Sequence, residues 1–236
     1  MFTKRHLISI SLLALMGLTL ACGLQPVVVT EYIIITTTPE NVPPPPEEQQ
    51  LVPTFQDDFE DASFDTILWT LGTNSGDSSY GENNGFLSLG GGTTNGGGIW
   101  VLSNQLFTPN DTVQVFEALI QVTNNDGGLW GFWGDDHEGY LMFGVSETGQ
   151  LQAWVRLNRD APLQSIDVNG VDITEWHTYR IEFTSIQAKF YVDDVLVATH
   201  TDGVPAGKPM HLRLDRVSWG QNEFIRIEYV ECGEYR

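Results

Sequence analysis

Gln152, Trp154, Arg156 and Asn158 alternate along one short stretch with Leu151, Ala153, Val155 and Leu157. The apolar set suits a core. The other set is unusual for a surface, because it leaves a large indole in water between an amide and a guanidinium. That combination suits a sugar: the ring stacks on the C–H face of a pyranose while its polar neighbours bond the hydroxyls. The same period of two opposes Tyr140 and Met142 to Leu141, Phe143 and Val145, which places Tyr140 beside Trp154. His211, Arg213 and Asp215 alternate in the same way with Met210, Leu212 and Leu214. Over residues 112–122, Phe116, Ala118 and Ile120 take the core side and leave Glu117, Leu119 and Gln121 outward. Trp133, in a glycine-rich run from Leu129 to Glu138 read as a bend at the groove rim, offers another ring, with Trp130 its equal as platform or core. Together these residues predict one concave face on which Trp154, Tyr140 and Trp133 stack while Arg156, Gln152 and Glu117 hydrogen-bond. The alternative is that Trp154 and Tyr140 cover a second, smaller core beneath a loop. The acids and histidine of Asp135, Asp136, His137 and Glu138 read as a solvated turn in preference to a metal site.

The elements that must carry these residues are short strands. Candidates run over Phe86–Leu89, Gly98–Leu102, Thr112–Val122, Tyr140–Val145 and Gln150–Leu157, then Trp176–Thr184, Ala188–Val192, Val195–Thr201, Met210–Leu214 and Phe224–Glu231. Twenty-four glycines and the lack of any long stretch with helical period predict an all-β, two-sheet antiparallel sandwich. The glycine-rich run 90–98 is a turn between strands, since no helix follows it to cradle a phosphate.

The stretch Trp176-His-Thr-Tyr-Arg-Ile-Glu-Phe183, the Phe190-Tyr-Val-Asp-Asp-Val-Leu-Val197 hairpin and the terminal Ile225-Arg-Ile-Glu-Tyr-Val-Glu231 resemble the concanavalin A-like lectin/glucanase superfamily. Within it, the match is to the back half of laminarinase-like family-16 glycoside hydrolases and their non-catalytic relatives. The resemblance implies a jelly-roll sandwich. It also implies a test for activity, because family-16 enzymes carry Glu-x-Asp-x-(x)-Glu on one strand, with the outer carboxylates as nucleophile and general acid/base. The corresponding stretch here is Glu138-Gly-Tyr-Leu-Met-Phe143, where Glu138 alone could match and Tyr140 and Phe143 stand in place of acids. No such motif occurs elsewhere in the chain. Asp194 replaces the glycine of the family's Tyr-Val-Asp-Gly turn, so a type I′ turn there needs an aspartate in the left-handed region. The resemblance further implies a structural Ca²⁺ where the first and last strands meet, with Asp58, Glu60 and Glu228 matching the regions that supply its ligands.

At the N-terminus, Lys4 and Arg5 precede an apolar stretch from Leu7 to Leu20. At ~1.5 Å per residue it falls short of a ~30 Å hydrocarbon layer, which fits an export signal and not a span. Leu18-Thr-Leu-Ala-Cys22 is similar to a bacterial lipobox, with Thr19 and Leu20 where that pattern prefers Leu and a small residue; the similarity implies lipidation at Cys22, and the alternative is ordinary signal peptidase, which Thr19-x-Ala21 also suits and which would cut the same bond. Residues 1–22 are then a lipoprotein signal peptide, 23–53 an extended tether stiffened by Pro43–Pro46, and 54–236 the jelly-roll head. The chain is expected to be exported and anchored in a bacterial membrane through its lipid, facing the periplasm or the cell exterior. Cys232 is left without a partner and is expected to be a small buried residue. With 31 acidic against 11 basic residues and a net charge of −20, the surface repels nucleic acid, which excludes it as a partner. Three functions remain open: a module binding poly- or oligosaccharide, a glycoside hydrolase with a non-standard acid pair, and a structural or adhesion domain with a protein partner.

Overall fold

A computed structural model of the protein describes residues 50–108, 112–124, 127–135, 138–218 and 224–235. Cys22 and the leader lie outside the described residues, as do Asp136 and His137.

Among the described residues, fifteen strands form two antiparallel sheets. Eight build the first sheet: β1 (Leu51–Asp57), β3 (Ser79–Asn83), β4 (Phe86–Gly90), β6 (Gln114–Val122), β11 (His177–Phe183), β12 (Ala188–Val192), β13 (Val195–His200) and β15 (Phe224–Tyr235). Their order is β13-β12-β11-β6-β15-β4-β3, and β15 divides its second edge between β4 and β1. The other seven build the second sheet: β2 (Trp69–Thr73), β5 (Gly98–Ser103), β7 (Leu129–Trp133), β8 (Tyr140–Val145), β9 (Leu151–Arg156), β10 (Gln164–Asp167) and β14 (His211–Val217). Their order is β10-β9-β8-β7-β14-β5-β2. This is the expected jelly-roll sandwich.

Alternation decides what lies between the sheets. Phe116, Ala118, Ile120, Tyr179, Ile181 and Phe190 point inward from the first sheet, and Trp130, Phe132, Leu141, Phe143, Leu212 and Leu214 meet them from the second, all fully buried. Aromatic edges lock the layers together: Phe132 meets Phe183 at 4.5 Å between centroids, and Trp130 meets Tyr179 at 4.8 Å. Each such pair adds about 0.5–1.5 kcal/mol beyond its burial. Cys232 is a free, buried thiol in this core, and burial pushes its pKa well up.

Two stretches differ from the sequence expectation. Leu129–Trp133 is a strand and not a rim bend, because β8 and β14 pair with it on both sides. Gly131 there takes φ 141°, a conformation open to glycine, where a Cβ would meet the Leu141 carbonyl oxygen at 2.4 Å. The first strand begins at Leu51, within the stretch read as tether, and pairs Leu51–Asp57 with the end of β15. Its Pro53 sits beside a register shift, the place in a ladder where a missing N–H is tolerated.

Candidate functional site

The outward face of the seven-stranded sheet collects five of the six predicted sugar-binding residues. Register places Tyr140 opposite Arg156 and Met142 opposite Trp154 across β8 and β9, and Trp133 opposite Tyr140 across β7 and β8. Gln152 completes the β9 row opposite Gly144. Glu117 does not belong to this face. It points outward as alternation requires, but β6 lies in the eight-stranded sheet, so its carboxylate sits on the opposite side of the sandwich. There it accepts a hydrogen bond from the Tyr229 hydroxyl at 3.0 Å and faces the Arg180 guanidinium at 3.6 Å. Alternation gives the direction of a side chain and not the sheet that carries it.

Trp154 is held as a platform. A Cβ built on Gly144 would lie 2.9 Å from three atoms of its indole, so the ring lies flat on the glycine backbone with its other face turned away from the sheet. Its Nε1 donates to Gln152 Oε1 at 2.9 Å, and Gln152 Nε2 donates to Asp167 Oδ1 at 2.6 Å. Arg156 is pinned likewise: Nε donates to the Ala161 carbonyl at 2.9 Å and Nη2 to that of Arg159. Burial raises the Tyr140 phenol, and the hydrogen bond and charge of Arg156 oppose that rise.

Trp133 is committed within the protein. It stacks on Tyr140 at 5.3 Å and 7°, and the Arg213 guanidinium caps it at 4.2 Å. Arg213 also lies 5.1 Å from the ring of Trp100. Trp100 was missed in the sequence, although Gly98, Trp100 and Leu102 alternate with Ile99 and Val101 and give the needed signal. Its indole lies on Gly72, where a Cβ would come within 2.4 Å of the ring, repeating the Trp154 arrangement at the far side of the sheet. Between the two indoles, Asp215 holds Arg213 through Oδ2 at 2.5 and 3.0 Å, while its Oδ1 is buried with no hydrogen-bond partner among the described residues. Burial raises the Asp215 carboxyl, and Arg213 opposes that rise. The His211 ring contacts the Ser103 carbonyl at 2.5 Å and Asp135 Oδ1 at 3.1 Å.

The acids of this face do not make a hydrolytic pair on β8. Its outward positions are Tyr140, Met142 and Gly144, whereas Phe143, expected at an acid position, faces the core. Glu138 precedes the strand, is exposed, and pairs with Lys208 at 2.8 Å.

Of the residues expected at calcium, Asp58 and Glu60 follow β1 and Glu228 lies on β15. Asp58 Oδ1 accepts from the Glu60 amide at 3.3 Å, the Glu60 carboxylate packs where a Cβ on Gly85 would stand, and Glu228 is exposed at the register shift of β15. No group of three or more His, Cys, Asp or Glu side chains able to hold a metal occurs among the described residues.

The chain is similar in fold to solved structures. It superposes on a glycosyl hydrolase family protein from Mycobacterium fortuitum with a TM-score of 0.61 at 18% identity, covering 77% of this chain and 100% of that one. An endo-acting O-glycanase structure from the human gut microbiota gives 0.61 at 17%, covering 78% and 100%. An endo-beta-1,3-glucanase from Pyrococcus furiosus gives 0.59 at 16%, covering 80% and 96%. The jelly-roll sandwich is the fold shared with these structures. No family model and no curated protein matches the chain.

Proposed function

We propose that the domain binds oligo- or polysaccharide on the outward face of the seven-stranded sheet and does not hydrolyse it by the family-16 mechanism. The observation that carries this reading is β8 itself, which presents Tyr140, Met142 and Gly144 outward, with Gly144 serving as the bed for the Trp154 indole. A strand that bears carboxylates in family-16 enzymes here supports a stacking ring. Trp154 provides the apolar platform, and Arg156 and Gln152 are oriented by bonds within the protein before any sugar arrives. Such pre-orientation lowers the entropy lost on binding. The neighbours' names, a beta-1,3-glucanase and O-glycanases among them, support glycans as the ligand class and leave the sugar open.

We further propose that Cys22 carries a lipid and that the tether holds the head off the membrane it faces. Replacing Cys22 with alanine is expected to move the protein from the membrane fraction to the soluble one; retention in the membrane would contradict the anchor. For the binding face, Trp154→Ala is expected to weaken glycan binding by about 2 kcal/mol, roughly thirty-fold. Unchanged affinity in a folded variant would move the ligand off this face. Release of shorter products from a bound glycan would contradict the non-hydrolytic part of the reading.

A further inference from the structure

The opposite face of the sandwich carries an aromatic depression of about 400 Å³, at the β3–β4–β15 end of the eight-stranded sheet. That volume lies in the ~300–1,000 Å³ range of small-ligand sites. Phe86, Ser88, Phe224 and Arg226 line it, with Asn83 and Asn84 at the β3–β4 turn. Its construction repeats that of the first face. The Phe224 ring lies against Gly90, where a Cβ would come within 2.7 Å of it. The Arg226 guanidinium is held over Phe86 at 5.5 Å and donates to Gln121 Oε1 at 3.4 Å, and Trp176 packs against Phe86 at 6.4 Å.

Charge narrows the occupant. The chain has 31 acidic residues, yet none lines this depression, and no carboxylate of the described residues pairs with Arg226. A cation or metal ligand finds no counter-charge here. A sugar finds apolar rings for its C–H face, amides and hydroxyls for its edge, and a guanidinium with donors to spare. We propose that this depression is a second oligosaccharide site, independent of the first. A domain loaded on both faces would cross-link glycan chains.

Hydroxyl-radical footprinting of the full chain tests this, with laminarihexaose, cellohexaose, xylohexaose and mannohexaose as probes. At least one probe is expected to protect Phe86 and Phe224 about threefold or more. The protection should persist in Trp154→Ala and disappear in Ser88→Trp, which fills the depression with bulk. Should Ser88→Trp lose the wild-type unfolding midpoint, Arg226→Ala takes its place, with an expected affinity loss at this face of tenfold or more. Protection at Phe86 and Phe224 without protection at Trp154 would sink the first site and leave the second standing. No protection by any probe, or protection that vanishes with Trp154 and ignores the Ser88 and Arg226 variants, overturns the second site.

Discussion

The Trp154 indole can lie flat because Gly144 has no side chain to lift it. That makes the glycine part of the site. Gly144→Ala keeps the indole but puts a methyl 2.9 Å from its ring atoms. The variant is expected to stay folded and lose about tenfold in glycan affinity, roughly 1.4 kcal/mol, as read by isothermal titration. Affinity equal to wild type would show that the ring's pose does not matter. A second residue-scale prediction concerns the core. Tyr179 is fully buried between the sheets, and its hydroxyl has no hydrogen-bond partner among the described residues. A buried orphan hydroxyl costs about 1–3 kcal/mol. Tyr179→Phe is therefore expected to leave stability unchanged or raise it by about 1 kcal/mol in urea unfolding; a loss above that size would mean that the hydroxyl is bonded in solution.

At the scale of the element, the β12–β13 turn shows how local chemistry can hold an unfavourable backbone. Asp193 and Asp194 both take positive φ, 49° and 63°, as the type I′ turn demands. Their side chains brace the turn against β11: Asp193 accepts from the Thr178 amide at 3.0 Å and meets the His177 ring at 2.7 Å, and Asp194 meets Arg180 at 2.5 Å. The double change Asp193→Asn with Asp194→Gly retains the amide acceptor and relieves the second position. It is expected to stabilise by about 1 kcal/mol, or 2–4 °C in melting temperature; a lower melting temperature would show that the Arg180 contact outweighs the strain. This turn was legible in the sequence, as were β8, β9 and β11, because each alternates cleanly and sits between turn residues. The rows of Trp154, Tyr140 and Arg156 followed from that alternation alone. Glu117 was misplaced for lack of any local signal of sheet membership, which is fixed by pairing between β6, β11 and β15, far apart in the chain. Strands such as β3 and β10 carry too few apolar residues to announce themselves and form through their neighbours.

Across the whole molecule, the acidic excess is uneven in its effect. Where Glu82 of β3 approaches Asp61 and Asp57, burial and then the Asp61 hydrogen bond push its pKa from 4.5 up to about 7. The folded state holds this proton more tightly than the unfolded chain. The contribution to stability is therefore full below pH 4.5 and declines as pH rises through about 7. Glu82→Gln should remove that slope, so its melting temperature should gain on wild type between pH 4.5 and 8. Parallel pH profiles for the two proteins would contradict the shift.

The proposed binding mode places glycan on a strand without acids, in a sandwich whose fold is shared with an endo-beta-1,3-glucanase. The most direct measurement puts the Ser88→Trp chain, whose second depression is filled, and the same chain carrying Trp154→Ala as well on a glycan array of β-glucans, galactans and pectins, followed by chromatography of the bound glycan for shorter products. Binding by the Ser88→Trp chain, its loss when Trp154 is replaced too, and intact glycan throughout are the expected result. Binding that survives the loss of Trp154, no binding to any glycan, or shortened products would contradict it.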